Sequence, residues 1–102
     1  MATKTINRER QNEFVQQQLR NVNQVVKDLA QHGYTVLAVE LDKHPPVIWI
    51  QYSKHCQQLG GACYRWHHTP RGMLFTYQIM VNGCKVVWQT DQPQVKKYEK
   101  CH

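Results

Sequence analysis

The tightest constraint in this chain is the stretch "YQIMVNGCKVVWQ", residues 77–89. Asn82-Gly83 stands between two runs rich in β-branched and aromatic residues. Asn and Gly accept consecutive left-handed backbone conformations at low cost, which is what a two-residue hairpin turn demands. Such a turn pairs Val81 with Cys84, Ile79 with Val86 and Tyr77 with Trp88. Side chains alternate along a strand, so these residues share one face, and a slip of one position would turn them all to the other.

A second hairpin is predicted in "CYRWHHTPRGMLFTYQ", residues 63–78. A four-residue loop over 69–72, with Pro70 setting the turn, pairs His68 with Met73, Trp66 with Phe75 and Tyr64 with Tyr77. The two turns, chosen independently, put Ala62, Tyr64, Trp66, Phe75, Tyr77, Ile79, Val81, Val86 and Trp88 on a single apolar face. The other face carries Cys63, Arg65, His67, Thr76, Gln78, Lys85 and Gln89, with Leu74, Met80 and Val87 as its apolar members. It reads as solvated or open to a partner. Upstream, "YTVLAVEL" (34–41) and "PVIWIQY" (46–52) read as two further strands. Pro45 and Pro46 delay the start of the second.

An apolar sheet face needs a cover, and the N-terminal segment supplies one. Val15, Leu19, Val22, Val26 and Leu29 recur at intervals of four and three, the stripe of an amphipathic helix, and Phe14 and Val25 widen it. Asn7 is a suitable N-cap, Glu9 suits the first turn, and Gly33 is placed to end the helix in a left-handed residue. The expected fold is therefore α+β. An N-terminal amphipathic helix over about 7–32 packs on a mainly antiparallel sheet of four to five strands. Residues 1–90 form one domain, and 91–102 form a polar, basic C-terminal tail.

Charge and cysteine usage narrow the setting. Thirteen Lys and Arg oppose seven Asp and Glu, for a net charge of +6, so acidic partners are favoured. The charge is dispersed except for Lys96, Lys97 and Lys100. The opening "MATKTINRERQNEF" has no apolar core of a signal peptide, and no run is long and apolar enough for a membrane span. The four cysteines are accordingly expected as free thiols in a cytoplasmic protein.

The chemistry-bearing residues cluster in "HCQQLGGACYRWHH", 55–68. His55, Cys56, Cys63, His67 and His68 are zinc-type ligands, but no Cys-x-x-Cys pair presents two thiolates together. Cys63 and His67 lie four strand residues apart, too far to share an ion without a bend. A Cys–His dyad needs a base within reach and a lowered thiol pKa, and neither is legible. "LGGA" reads as a plain turn and not as a phosphate loop. The chain is read as no enzyme, with no cofactor and no metal.

Two binding functions remain. Aromatic side chains on a basic sheet suit a small single-stranded nucleic-acid-binding module, provided the helix leaves part of the aromatic face uncovered. Alternatively, "HHTPRG" is a protein-recognition loop. His67, Thr69, Pro70 and Arg71 form its tip, and Arg65, Gln78 and Lys85 continue the surface on the polar sheet face.

The small, basic, Gln-rich chain with "HHTPRG" around Pro70 resembles the second type of anti-RecBCD protein from P22-like temperate phages of enteric bacteria. The resemblance implies a phage-encoded, non-enzymatic accessory protein that works in the host cytoplasm. It would bind a host protein, the RecBCD recombination nuclease, and inhibit or modulate it. It also implies contact with a host prolyl isomerase through an exposed proline, for which Pro70 is the corresponding residue.

Overall fold

The structure is a computed structural model and describes residues 7–91. All of the expected tail except Asp91 lies outside the described residues. Asn7 caps the first helix as its sequence predicts: its side-chain oxygen accepts from the Glu9 and Arg10 backbone N–H groups at 3.0 and 3.2 Å. Helix α1 then runs Arg8–Gln31. It ends where Gly33 takes φ +88. There the Tyr34 N–H donates to the Leu29 carbonyl at 3.0 Å and the Gly33 N–H to Ala30 at 3.1 Å, the paired bonds of a Schellman ending. Leu29 and Tyr34, the two residues that this ending brings together, are both buried.

Five strands follow: β1 (Val36–Glu40), β2 (Val47–Ile50), β3 (Ala62–Thr69), β4 (Gly72–Val81) and β5 (Cys84–Thr90). Their spatial order is β1-β2-β5-β4-β3. The fold is α+β, and the sheet is mostly antiparallel with one parallel pair, β2 with β5. The parallel pair arises because the chain leaves β2, crosses the sheet and enters it again at the far edge. A short 3-10 helix, Lys54–Leu59, makes that crossing on the α1 side, where Cys56 and Leu59 join the core.

The Asn82-Gly83 turn forms as expected, with φ of +46 and +79. It sets the pairs Val81↔Cys84, Ile79↔Val86 and Tyr77↔Trp88. Tyr77 and Trp88 stack with ring centroids 5.9 Å apart. The second hairpin keeps the expected pairs Trp66↔Phe75 and His68↔Met73 but is tighter at its tip. Thr69 pairs with Gly72, so the loop is two residues, Pro70 and Arg71, instead of four.

At the other end of β3 a bulge overturns the expected register. Cys63 pairs with Tyr77 and Arg65 with Thr76, leaving Tyr64 as the extra residue. One inserted residue reverses the facing of everything beyond it. Cys63, expected on the polar face, therefore packs against the core, and Ala62 turns to the Gln78 side.

The core lies between the C-terminal half of α1 and the sheet. Val22, Val25 and Leu29 are buried with Ile48, Ile50, Tyr77, Val86 and Trp88. Farther toward the N-terminus the helix stripe loses its cover, and Val15 and Leu19 are 40% and 45% exposed. A helix of 24 residues spans about 36 Å, more than a strand of four or five residues can underlie. Gly61, expected as part of a plain turn, is a packing position. A Cβ there would lie 2.5 Å from Trp88 Cη2 and 2.8 Å from the Gln78 carbonyl.

Candidate binding surface

The β3–β4 hairpin extends past the part of the sheet that α1 covers. Tyr64 and Trp66 are exposed by 44% and 41%, and Phe75 and Met73 are half-buried beside them. Trp66 faces the helix side through its pairing with Phe75, yet the fully buried residues of this sheet face stop at Tyr77 and Trp88. The expectation that α1 covers the whole Trp66/Phe75/Tyr77/Trp88 face is thus corrected at its outer end. Neighbouring Arg65, His67, His68, Pro70 and Arg71 are all exposed. His67 pairs with Leu74 and His68 with Met73, so the two imidazoles leave opposite faces of the strand, as the alternation requires.

The tip is held by its own hydrogen bonds. Thr69 Oγ1 donates to the Gly72 carbonyl at 2.8 Å and accepts from the Arg71 N–H at 3.3 Å. Thr69, expected as a contact residue, also fixes the turn through these two bonds, and Pro70 and Arg71 beside it are exposed. Beside the tip lies a hollow of about 330 Å³ lined by Tyr52, Thr69, Arg71, Leu74, Gln89 and Asp91. Its walls are mixed, with a guanidinium and a carboxylate beside apolar side chains.

Arg65, His67, Gln78 and Lys85 do share the face opposite α1, as their partners Thr76, Leu74, Val87 and Met80 show. That face, expected to be solvated or open to a partner, is buried at its centre. Thr76 and Val87 at its centre are 1% exposed. Trp49 donates its indole N–H to Glu40 at 2.6 Å, and the Gln89 amide donates to Thr76 Oγ1 at 3.2 Å. Gln78 Oε1 is buried with no hydrogen-bond partner among the described residues. Gln78 and Lys85 are half-buried supports of this face, whereas Arg65 and His67 are accessible.

The cysteines divide into two kinds. Cys56 and Cys84 are free and buried, whereas Cys63 is disulfide-bonded, which corrects the expectation of free thiols throughout. Burial pushes the Cys84 thiol up, the opposite of an activated nucleophile. Cys56 Sγ lies 3.7 Å from the Gln51 carbonyl and 3.4 Å from the Ser53 N–H, inside the chain's own turn. The bulge sends Cys63 and His67 to different faces. Among the described residues no group of three or more His, Cys, Asp or Glu side chains converges on a metal-sized site.

Comparison with family models, curated proteins and solved structures finds no match for the chain. No helix among the described residues is long and apolar enough to cross a membrane.

The sequence placed Pro70, Arg71, Arg65 and His67 on the accessible surface, and Tyr64 and Trp66 on the helix-facing face, open only where the helix leaves that face uncovered. A signal for them existed. Both alternate with Arg65, His67 and His68 along the strand.

Proposed function

We propose that the protein is a non-enzymatic binding module that holds a partner protein with the projecting end of the β3–β4 hairpin. The observation that supports this most directly is Trp66. It is 41% exposed on a strand whose inner neighbours, Tyr77 and Trp88, are almost wholly buried. Exposed Trp, Tyr and Arg are the side chains that most often anchor protein interfaces. Here Trp66 and Arg71 stand toward the end of a hairpin whose turn is pinned by Thr69, and Tyr64 stands at the bulge farther down β3. Little ordering cost remains to be met on binding.

The resemblance through "HHTPRG" makes RecBCD the first partner to test. Inhibition or modulation of that nuclease in the host cytoplasm is the implied outcome, with Pro70 as the proline offered to a prolyl isomerase. Purified RecBCD should be retained on the immobilised chain after nuclease treatment. Retention should fall with Trp66→Ala and Arg71→Ala. Undiminished retention by both variants would remove the hairpin from the reading.

The incomplete cover over Trp66 also favours the second reading, a small single-stranded nucleic-acid-binding module. Bases could stack on Tyr64 and Trp66 beside Arg65 and Arg71 in a chain of net charge +6. Salt separates the two. Nucleic-acid binding should drop by orders of magnitude between about 50 and 200 mM salt as phosphate counterions are released. A contact built on Trp66 should change far less.

A further inference from the structure

We infer that Cys63 on β3 is bonded to Cys101, and that this bond brings the lysines of the C-terminal segment to the exposed aromatic side chains of β3.

The chain has four cysteines, Cys56, Cys63, Cys84 and Cys101. Cys56 and Cys84 are free thiols buried in the core, whereas Cys63 is disulfide-bonded. That leaves Cys101 as the one cysteine of the chain with which Cys63 can pair.

The length of chain between them suffices. Cys63 pairs with Tyr77 and Tyr77 with Trp88, so the three stand in one row across β3, β4 and β5. Two strand spacings, about 10 Å, separate Cys63 from Trp88, and Asp91 follows Trp88 by three residues, about another 10 Å. The straight line from Asp91 to Cys63 is then about 14 Å. Cys101 follows Asp91 by ten residues, which span up to about 33 Å when extended. Closing the bond uses about half of that reach.

The bond carries charge with it. Lys100 is next to Cys101, and Lys97 and Lys96 precede it by four and five residues. Bonded cysteines hold their Cα atoms about 5.5 Å apart, so Lys100 is kept within about 10 Å of Cys63 and Lys96 within about 24 Å. β3 offers Tyr64 and Trp66 there, 44% and 41% exposed with Cys63 in its bonded state, and the exposed Arg65 between them. The tie therefore adds cations beside the aromatic anchors and leaves the anchors accessible. Such a surface fits a partner protein that sets carboxylates around an apolar pocket. Its use by a partner rests on the hairpin reading given above; the bond itself does not.

The tie is reversible, with a low-molecular-weight disulfide, RSSR, as oxidant. One cysteine thiolate attacks RSSR and expels RS⁻; the second thiolate then displaces the remaining RS⁻ from the mixed disulfide. The two cysteines give up two electrons and two protons, and RSSR leaves as two RSH. Excess thiol runs the exchange backwards and releases the lysines from β3.

Peptide mapping of the full chain tests the pairing. The chain is treated with oxidised glutathione, its free thiols are alkylated, and it is digested without reductant. Mass spectrometry should find the peptide carrying Cys63 linked to the peptide carrying Cys101, from chains that run as single copies on a non-reducing gel. Cys56→Ser should keep the linked pair, and Cys63→Ser should lose it. Absence of the pair, linkage of Cys101 to Cys56 or Cys84, or a pair found only between two chains overturns the bond. Tryptophan quenching tests the placement of the lysines. Iodide is drawn to nearby cations and acrylamide is neutral. The ratio of iodide to acrylamide quenching should fall when the chain is reduced, and reductant should not move it in Cys101→Ser. A ratio that reduction leaves unchanged in the parent, or lowers equally in Cys101→Ser, overturns the placement. The hairpin reading is judged separately, by partner retention on the Trp66→Ala and Arg71→Ala variants.

Discussion

At Gly61 the chain comes so close to Trp88 that even a methyl group would meet the indole ring and the Gln78 carbonyl. Neither neighbour is a flexible side-chain end: one is the ring of a fully buried residue and the other is backbone. Gly61→Ala should therefore destabilise the fold by about 2 kcal/mol, read from the midpoint of urea unfolding. Tyr34 sets a different condition. Its hydroxyl donates to the His55 carbonyl at 2.9 Å, and its pKa is raised above the usual 10.0, first by burial and then by the nearby Cys56. Cys84 is raised above 9.0 by burial. Both groups are neutral when protonated, and both hold their protons longer folded than unfolded. Their contribution is complete below the unfolded pKa values and is lost as pH climbs through the folded ones. Urea stability should thus hold up to about pH 9 and decline above it. Tyr34→Phe should lose about 1 kcal/mol at neutral pH with its hydrogen bond, and should show a smaller alkaline decline.

Among the elements, α1 is divided by its environment. Its C-terminal half contributes Val22, Val25 and Leu29 to the core, and its N-terminal half rests on a cap and local bonds. Val25→Ala should lower global stability by about 2 kcal/mol through the cavity it leaves. Asn7→Ala removes two capping bonds from a stretch without core contacts. It should reduce far-UV helix signal while moving the global unfolding midpoint little, because the first turns open locally. The β3–β4 turn is the opposite case: it is exposed yet held by two side-chain hydrogen bonds. Pro70→Ala should cost less than about 1 kcal/mol, since neither Pro70 nor its ring is part of the core. Thr69→Val should loosen the tip and weaken partner retention as Arg71→Ala does, with Tm nearly unchanged in both.

For the whole molecule the deciding feature is that one helix and one short 3-10 segment cover only part of a five-stranded sheet. The three tryptophans report on this directly. Trp88 is inaccessible, Trp49 half-buried and Trp66 41% exposed. Iodide or acrylamide should quench Trp66 most and Trp88 least, and Trp66→Phe should remove most of the quenchable emission. If a partner docks on the hairpin, it should protect Trp66 alone.

Local interactions carried the parts that were legible in the sequence. The Asn7 cap, the Gly33 ending, the Asn82-Gly83 turn and the Tyr77/Trp88 register each depend on residues a few positions apart, whose backbone preferences leave one solution. The same logic failed at Tyr64, because a bulge costs little locally and is selected by what Cys63 and Trp66 meet across the sheet. It also could not anticipate the parallel pairing of β2 with β5, which depends on where a remote crossover returns. The extent of helix cover is of the same kind. Val15 and Val22 are equivalent in the pattern of the stripe, and only the length of sheet beneath them buries one and exposes the other. Periodicity determines which side of an element is apolar; the packed neighbours decide how much of that side is left for another molecule.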